Sequence, residues 1–446
     1  MNKIINKQQV IYDDLDYGLE KAAGLGATQA EIGVTITQGF SVSVREQDVE
    51  NIEYENKKEI AVTVYIGKRK GSASTTDVRR PGIDSAITAA CDIARVTGED
   101  PYAGLAEKSL LAKEFPDLSL NHPWDITVEK ARDMALECER QATAMDKRIK
   151  GADSVSVSTY QSEMFYANSN SFNAALKTTR HDVTCILIAK EKELMERDYG
   201  YTVARKPSDL YSIDRVAKEA VERTVKRLGA KKIKTQKAPV LFVPEVAASL
   251  LSHFISAISG TPLYQKASFL LDMLDKPVFA KHIHIHEDPY ILSALGSSSF
   301  DGDGVQTRQK YFVKEGVLRN YCLSVYSARR LGMQTTANAG GVHNLLIEPT
   351  AKDNTFEKLV KTMDKGLVVT ELMGQGVDIV SGNYSRGVCG FWVENGEIQF
   401  PVAEVTVASN LKDMYQGIVS VGSDIDPRSN ILTGSILIDR MTVAGD

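Results

Sequence analysis

Residues 281–290 read KHIHIHEDPY, with His282, His284 and His286 alternating with Ile283 and Ile285 ahead of Glu287 and Asp288. Imidazole and carboxylate are ligands that zinc prefers. On a strand, successive side chains point to opposite faces, so the three imidazoles would share one face and the isoleucines the other. One reading is an independent metalloenzyme built on His282, His284 and His286, with Glu287 beside them. The other is an amphipathic strand with histidine on its wet face, and Pro289 then puts Glu287 and Asp288 at a turn. The alternation favours the second reading.

Other catalytic patterns fail. The chain has no H-E-x-x-H and no phosphate-binding glycine loop, and GNYSRG (382–387) has the wrong spacing for a nucleophile elbow. FDGDGVQT (300–307) begins like a calcium loop with Asp301 and Asp303. It then offers Val305 and Gln306 where an acid and a glycine are needed, so it reads as a plain turn. GSDIDPRS (422–429) reads as a solvated turn, and KGSASTTD (70–77) as a strand end.

The elements that would carry these residues follow from patterning. The chain has 446 residues and a formal net charge of −5, which disfavours a nucleic-acid partner. Five dispersed cysteines without a C-x-x-C fit a reduced compartment, and the N-terminus shows no secretory h-region, so a cytoplasmic location is expected. The most apolar stretch, 238–260, is split by Pro244 and Glu245 into a strand and a helix too short to cross a bilayer, so no membrane association is expected.

Helices are expected over 8–24, 82–97, 127–145 and 212–228, the last capped by Ser212 and ended by Gly229. Strands are expected at 31–37, 59–67, 155–160 and 184–189, with hairpins about Glu315-Gly316 and Asn395-Gly396. KKIKTQK (231–237) reads as a boundary. The fold class is α+β. Mixed helix/strand segments at 1–118 and 119–230 precede a larger, antiparallel β-rich C-terminal domain at 236–446.

Five stretches together resemble the PmbA (TldE) proteins: KGSASTTD (70–77), MERDYGYT (195–202), LYQKASFLLD (263–272), FDGDGVQT (300–307) and the long block 366–414. The resemblance implies one half of a heterodimeric, cytosolic TldD/TldE zinc peptidase, a system long described as a modulator of DNA gyrase. Its implied substrates are unfolded peptides such as microcin precursors and antitoxins. In the TldD-type half, an H-E-x-x-x-H helix and a later cysteine hold zinc. Aligned on Gly260, those positions fall on Leu251, Ser252 and Ser256, and the C-terminal stretch 430–446 has no cysteine.

This chain therefore resembles the half without zinc. No cofactor is expected in it, and zinc is expected in a TldD-type partner subunit. A homodimer when alone is compatible with the resemblance. The helix itself shows a core stripe of Val246, Leu250, Phe254 and Ile258, a serine face, and His253 as a satisfied structural histidine. A non-proteolytic gyrase-binding module is the remaining alternative from another class.

Overall fold

Alternating β-branched and small polar residues build two long hairpins, and these join into one sheet. The computed structural model describes residues 2–445. The chain opens with α1 (Asn2–Gly24), β1 (Gln29–Arg45), β2 (Asp48–Ile66), β3 (Arg69–Thr75) and α2 (Arg80–Val96). A second unit of the same order follows: α3 (Val128–Met145), β4 (Ile149–Asn168), β5 (Phe172–Glu191), β6 (Leu194–Ala204) and α4 (Ile213–Arg227). The strands form one antiparallel sheet in the order β3-β2-β1-β4-β5-β6, with β1 and β4 paired from Glu31↔Asn168 to Val44↔Val155. Segments 1–118 and 119–230 thus share a single sheet.

All four helices cover the same face. α1 and α2 pack on Ile32, Val34, Ile60, Val62 and Val64, while α3 and α4 pack on Val42, Val44, Val155, Val157 and Val183. The two outer helices lie against glycine: a Cβ at Gly71 would strike the backbone of α2 at Ala90, and one at Gly200 the backbone of α4 at Val216. Ser212 caps α4 as expected, accepting from the Arg215 N–H at 3.3 Å, and Gly229 follows with φ +79°.

The strands run well past the expected 31–37 and 59–67. The far half of β2, Glu50–Lys58, is exposed and mostly polar and gives no buried face to read, whereas that of β1 continues the alternation through Phe40, Val42 and Val44.

The C-terminal part comprises β7 (Gln236–Phe242), α5 (Pro244–Ile258), α6 (Gly260–Tyr264), β8 (Ile285–Glu287), β9 (Lys310–Lys314), β10 (Val317–Leu318), α7 (Val325–Leu331) and β11 (Leu345–Ile347). It continues with α8 (Phe356–Met363), β12 (Gly366–Met373), β13 (Asn383–Glu394), β14 (Glu397–Asn410), α9 (Leu411–Gln416), β15 (Ile418–Val421), β16 (Ile431–Leu432) and β17 (Ile436–Ala444). The larger sheet has the order β14-β13-β12-β7-β17-β15, and β14 also pairs with β17, so the sheet closes on itself. Only its β7–β12 pair is parallel. A small sheet, β10-β9-β8-β11-β16, lies beside it.

Both expected hairpins form. Glu315 and Gly316 have φ +52° and +74°, and Asn395 and Gly396 have +55° and +70°, the left-handed pair that a two-residue type I′ turn needs. The fold is α+β, as the patterning indicates. No described helix is long and apolar enough to cross a membrane.

Candidate functional site

α5 is the helix onto which the resemblance maps the metal-binding positions of the TldD-type half, 251, 252 and 256. Pro244 occupies its first turn, where a missing N–H costs nothing. Val246, Leu250, Phe254 and Ile258 are buried in the largest core, as their spacing requires. Leu251 is also a core residue, 1% exposed. Ser252 and Ser256 donate their hydroxyls to carbonyls one turn back, to Ala248 at 3.1 Å and Ser252 at 2.9 Å. An alkyl group and two hydroxyls already donating to their own helix do not make a zinc ligand set.

His253 departs from expectation. Its Nε2 is buried without a hydrogen-bond partner, and its ring meets the edge of Tyr384, centroids 6.2 Å apart. Burial, then the positive charge of Arg386, lowers its pKa and keeps the imidazole neutral.

The histidine-rich stretch is a strand only over Ile285–Glu287, and His282 lies in an exposed turn before it. Ile283 and Ile285 are fully buried, while His284 and His286 are half-buried beside the Tyr311 ring, so the alternation holds beyond the strand. Nδ1 of His286 stands 3.2 Å from the Glu348 carboxylate. Among the described residues, no three His, Cys, Asp or Glu side chains come together in a way that could hold a metal ion.

Glu287 is not at a turn: it ends the strand and points inward because it alternates with His286. Its carboxylate pairs with the Lys310 ammonium and accepts from Asn338 Nδ2 at 2.9 Å and the His343 N–H at 2.6 Å. This ties β8, β9 and the loop ahead of β11 together.

A turn that patterning treats as plain is interior, and one that it treats as solvated is half-buried. In FDGDGVQT, Asp301 is 3% exposed and accepts from the N–H groups of Asp303 at 3.0 Å, Val305 at 2.9 Å and Ala339 at 2.9 Å. Burial, then the charge of Asp303, raises its pKa to about 7. Asp303 accepts from the Val325 N–H at 2.7 Å at the start of α7. Across the interface lies Glu31 of β1, its carboxyl pKa raised by burial although the Tyr166 hydroxyl donates to it at 2.6 Å. Alternation legible in Asp301-Gly-Asp303 cannot show that a second sheet covers it.

The other turn, GSDIDPRS, joins a cavity of about 710 Å³ between α4 and the outer face of the closed sheet. Val243, Val368, Phe391 and Phe400 give it apolar surface, with Phe356 of α8 on one side. Its α4 side is ionic. Arg223 contacts Glu245 at 2.9 Å and Asp198 at 3.2 Å; Arg227 contacts Glu371 at 2.6 Å and Asp198 at 3.3 Å. Arg428 contacts Asp426 at 2.9 Å, Glu245 at 3.0 Å and Glu219 at 3.2 Å, and its guanidinium lies 4.1 Å from the Tyr201 ring centre. Burial opposes the charge on Arg223, but Glu245 and Asp198 outweigh it and raise its pKa.

MERDYGYT supplies Asp198 and Tyr201 to this region, and the block 366–414 supplies Val368, Phe391 and Phe400, so two distant stretches converge here. Sequence reasoning missed the cavity because no single stretch contains it.

With this geometry in hand, comparison with known proteins gives a fold class first: a three-part chain of metallopeptidase type. Residues 30–94, 121–228 and 235–445 match domain 1, the central domain and the C-terminal domain of the PmbA/TldA metallopeptidases. The chain belongs to the PmbA/TldD metallopeptidase family. It is 43% identical over 445 residues to the "Metalloprotease PmbA" of Escherichia coli O157:H7, covering 100% of this chain and 98% of that one.

Among solved structures it is similar to a putative modulator of DNA gyrase from Bacteroides thetaiotaomicron VPI-5482 (TM-score 0.92, 25% identity, 98% of this chain and 99% of that one). TldE from Thermococcus kodakarensis shares the fold (TM-score 0.83, 18% identity, 97% and 100% covered).

Proposed function

We propose that this chain is the non-zinc subunit of a two-chain metallopeptidase, completed in the cytoplasm by a TldD-type paralogue that carries the zinc and the general base. The observation that carries the reading is α5. Its positions 251, 252 and 256 hold a core leucine and two serines whose hydroxyls are bonded to their own helix. A zinc hydrolase needs several anionic or neutral ligands and a carboxylate to take a proton from bound water; this helix offers one imidazole, His253, and one carboxylate, Glu245, which is paired with Arg223 and Arg428. The family assignment supports the peptidase context.

The chain's own contribution is to wall the reaction chamber and to receive unfolded peptide. The cavity beside Phe391 and Phe400 is suited to apolar side chains of an extended peptide. The test is to purify this chain, the sister chain and the co-purified pair, and to assay each on unfolded peptide. Activity and stoichiometric zinc are expected in the pair, with no activity in this chain alone. Peptidase activity of the isolated chain, or stoichiometric zinc that Ser256→Ala leaves in place, would overturn the reading.

A further inference from the structure

The cavity between α4 and the closed sheet has two properties that together define its occupant. The first is that its charged groups already have partners. The three arginines hold the surrounding carboxylates. Asp424 accepts from the Ser435 hydroxyl at 2.6 Å, and Lys226 pairs with Glu222 one turn back at 3.4 Å. Gln399 turns its amide to the carbonyls of Glu394 at 3.2 Å and Glu397 at 3.1 Å. What remains open is apolar: Val243, Val368, Phe391 and Phe400, with Ile398, 45% exposed, on the rim. A charged side chain entering here would lose its water and find no free counter-charge. A bulky apolar one gains by leaving water.

The second property is the strand at the rim. β14 pairs with β13 on one side. On the other it meets Lys231, whose N–H donates to the Pro401 carbonyl at 2.9 Å and whose carbonyl accepts from the Ala403 N–H at 3.4 Å. β17 takes over at Thr406. Ahead of Lys231, residues 397–400 have no strand on that side among the described residues. The β13–β14 ladder also slips by one residue there, with Trp392 opposite Phe400 and Val393 opposite Ile398. A bulge re-aims side chains. Here Ile398, Gln399 and Phe400 all line the cavity instead of alternating across the sheet.

We propose that an extended peptide adds to β14 beside 397–400, in line with Lys231, and places one bulky apolar side chain, aromatic or long aliphatic, in the cavity. Main-chain pairing accepts many sequences, and the cavity supplies the single preference. Acidic and basic side chains are refused at that position. The inference rests on the reading that this chain receives unfolded peptide, and it adds which peptides are received.

Fluorescence anisotropy on the full chain, without zinc or sister chain, tests it. The probe is a dye-labelled, end-blocked hexapeptide, Gly-Ser-Phe-Ser-Gly-Ser, with versions carrying Leu, Ala, Glu or Lys in place of Phe. The Phe and Leu peptides should bind, Ala should weaken binding about tenfold or more, and Glu and Lys should abolish it. N-methylation of the amides flanking Phe should weaken binding about tenfold, because it removes main-chain donors. Ile398→Asp charges the rim at a side chain that is already exposed. It should remove binding of the Phe peptide and leave circular dichroism and Tm unchanged.

Absence of peptide binding by the isolated chain overturns the proposal. So does equal binding of the Phe and Glu peptides, binding that survives Ile398→Asp, or a cavity that takes indole and no peptide. Peptidase activity of the mixed pair is read separately. Activity in the pair without binding here sinks this inference alone, and binding here with an inactive pair sinks the peptidase reading alone.

Discussion

The two halves of the six-stranded sheet share an order of elements and differ in what lies against them. The second half is locked to the C-terminal domain. Phe172 is 6% exposed among Leu111, Phe300 and Val305, and Arg205 donates to the carbonyls of Ala294 at 3.0 Å and Leu295 at 2.7 Å. In the first half, the matching strand carries Tyr54, 73% exposed, on an edge with no neighbour. Duplicate topology therefore supports two uses. One copy of the edge is absorbed into the chain's own packing, and the other has no strand against it among the described residues.

That contrast is open to measurement. The largest effect is expected at Phe172. Phe172→Ala should destabilise by about 3–4 kcal/mol in denaturant titration, while Tyr54→Ala should stay within about 0.5 kcal/mol for the monomer. Equal effects would break the comparison. Next, Arg223→Ala leaves Glu245 and Asp198 partly buried without that cation, which should cost about 3 kcal/mol. It should lower Tm, whereas Lys57→Ala on the free edge should not.

A third prediction concerns pH. The Asp301 carboxyl has a pKa raised to about 7 in the folded chain, against 3.8 as its ordinary value. Between those values the folded state holds a proton that the unfolded state has lost, so this group's contribution to stability falls as pH rises from about 4 to 7. Tm measured from pH 5 to 8 should fall by an amount that Asp301→Asn removes; an unchanged slope in the variant would refute the assignment. The smallest effect is expected at His253. Its Nε2 has no partner to lose, so His253→Phe should shift stability by under about 1 kcal/mol. A large loss in thermal denaturation would show that the imidazole has a partner after all.

Much of the fold was legible where one face is buried. The core stripe of α5, the Ser212 cap and both hairpins follow from local rules, because apolar period, cap chemistry and left-handed turn residues act within a few positions. The alternation in KHIHIHE was likewise legible, and the isoleucines are buried as it requires. Glu287 was misplaced because Pro289 suggested a turn two residues early. Patterning makes a plain turn of Asp301 and a solvated one of Asp426 and Arg428 for a similar reason: composition reports a residue's local preference and carries no record of what later folds over it.

The absence of zinc ligands at 251, 252 and 256 is a property of residue types, and the sequence alone determines it once the helix is located. The core stripes, turns and caps belong to the same class, since each depends on neighbours in the chain. Tertiary structure alone decided that 195–202 and 366–414 face one cavity, that Asp301 is buried with its pKa raised, and that one of two equivalent strand edges is covered while the other has no strand against it among the described residues. Those facts depend on contacts between residues well separated in the chain, such as Asp301 with Ala339 and Phe172 with Phe300, where burial and partner charges, rather than residue type, set the energy.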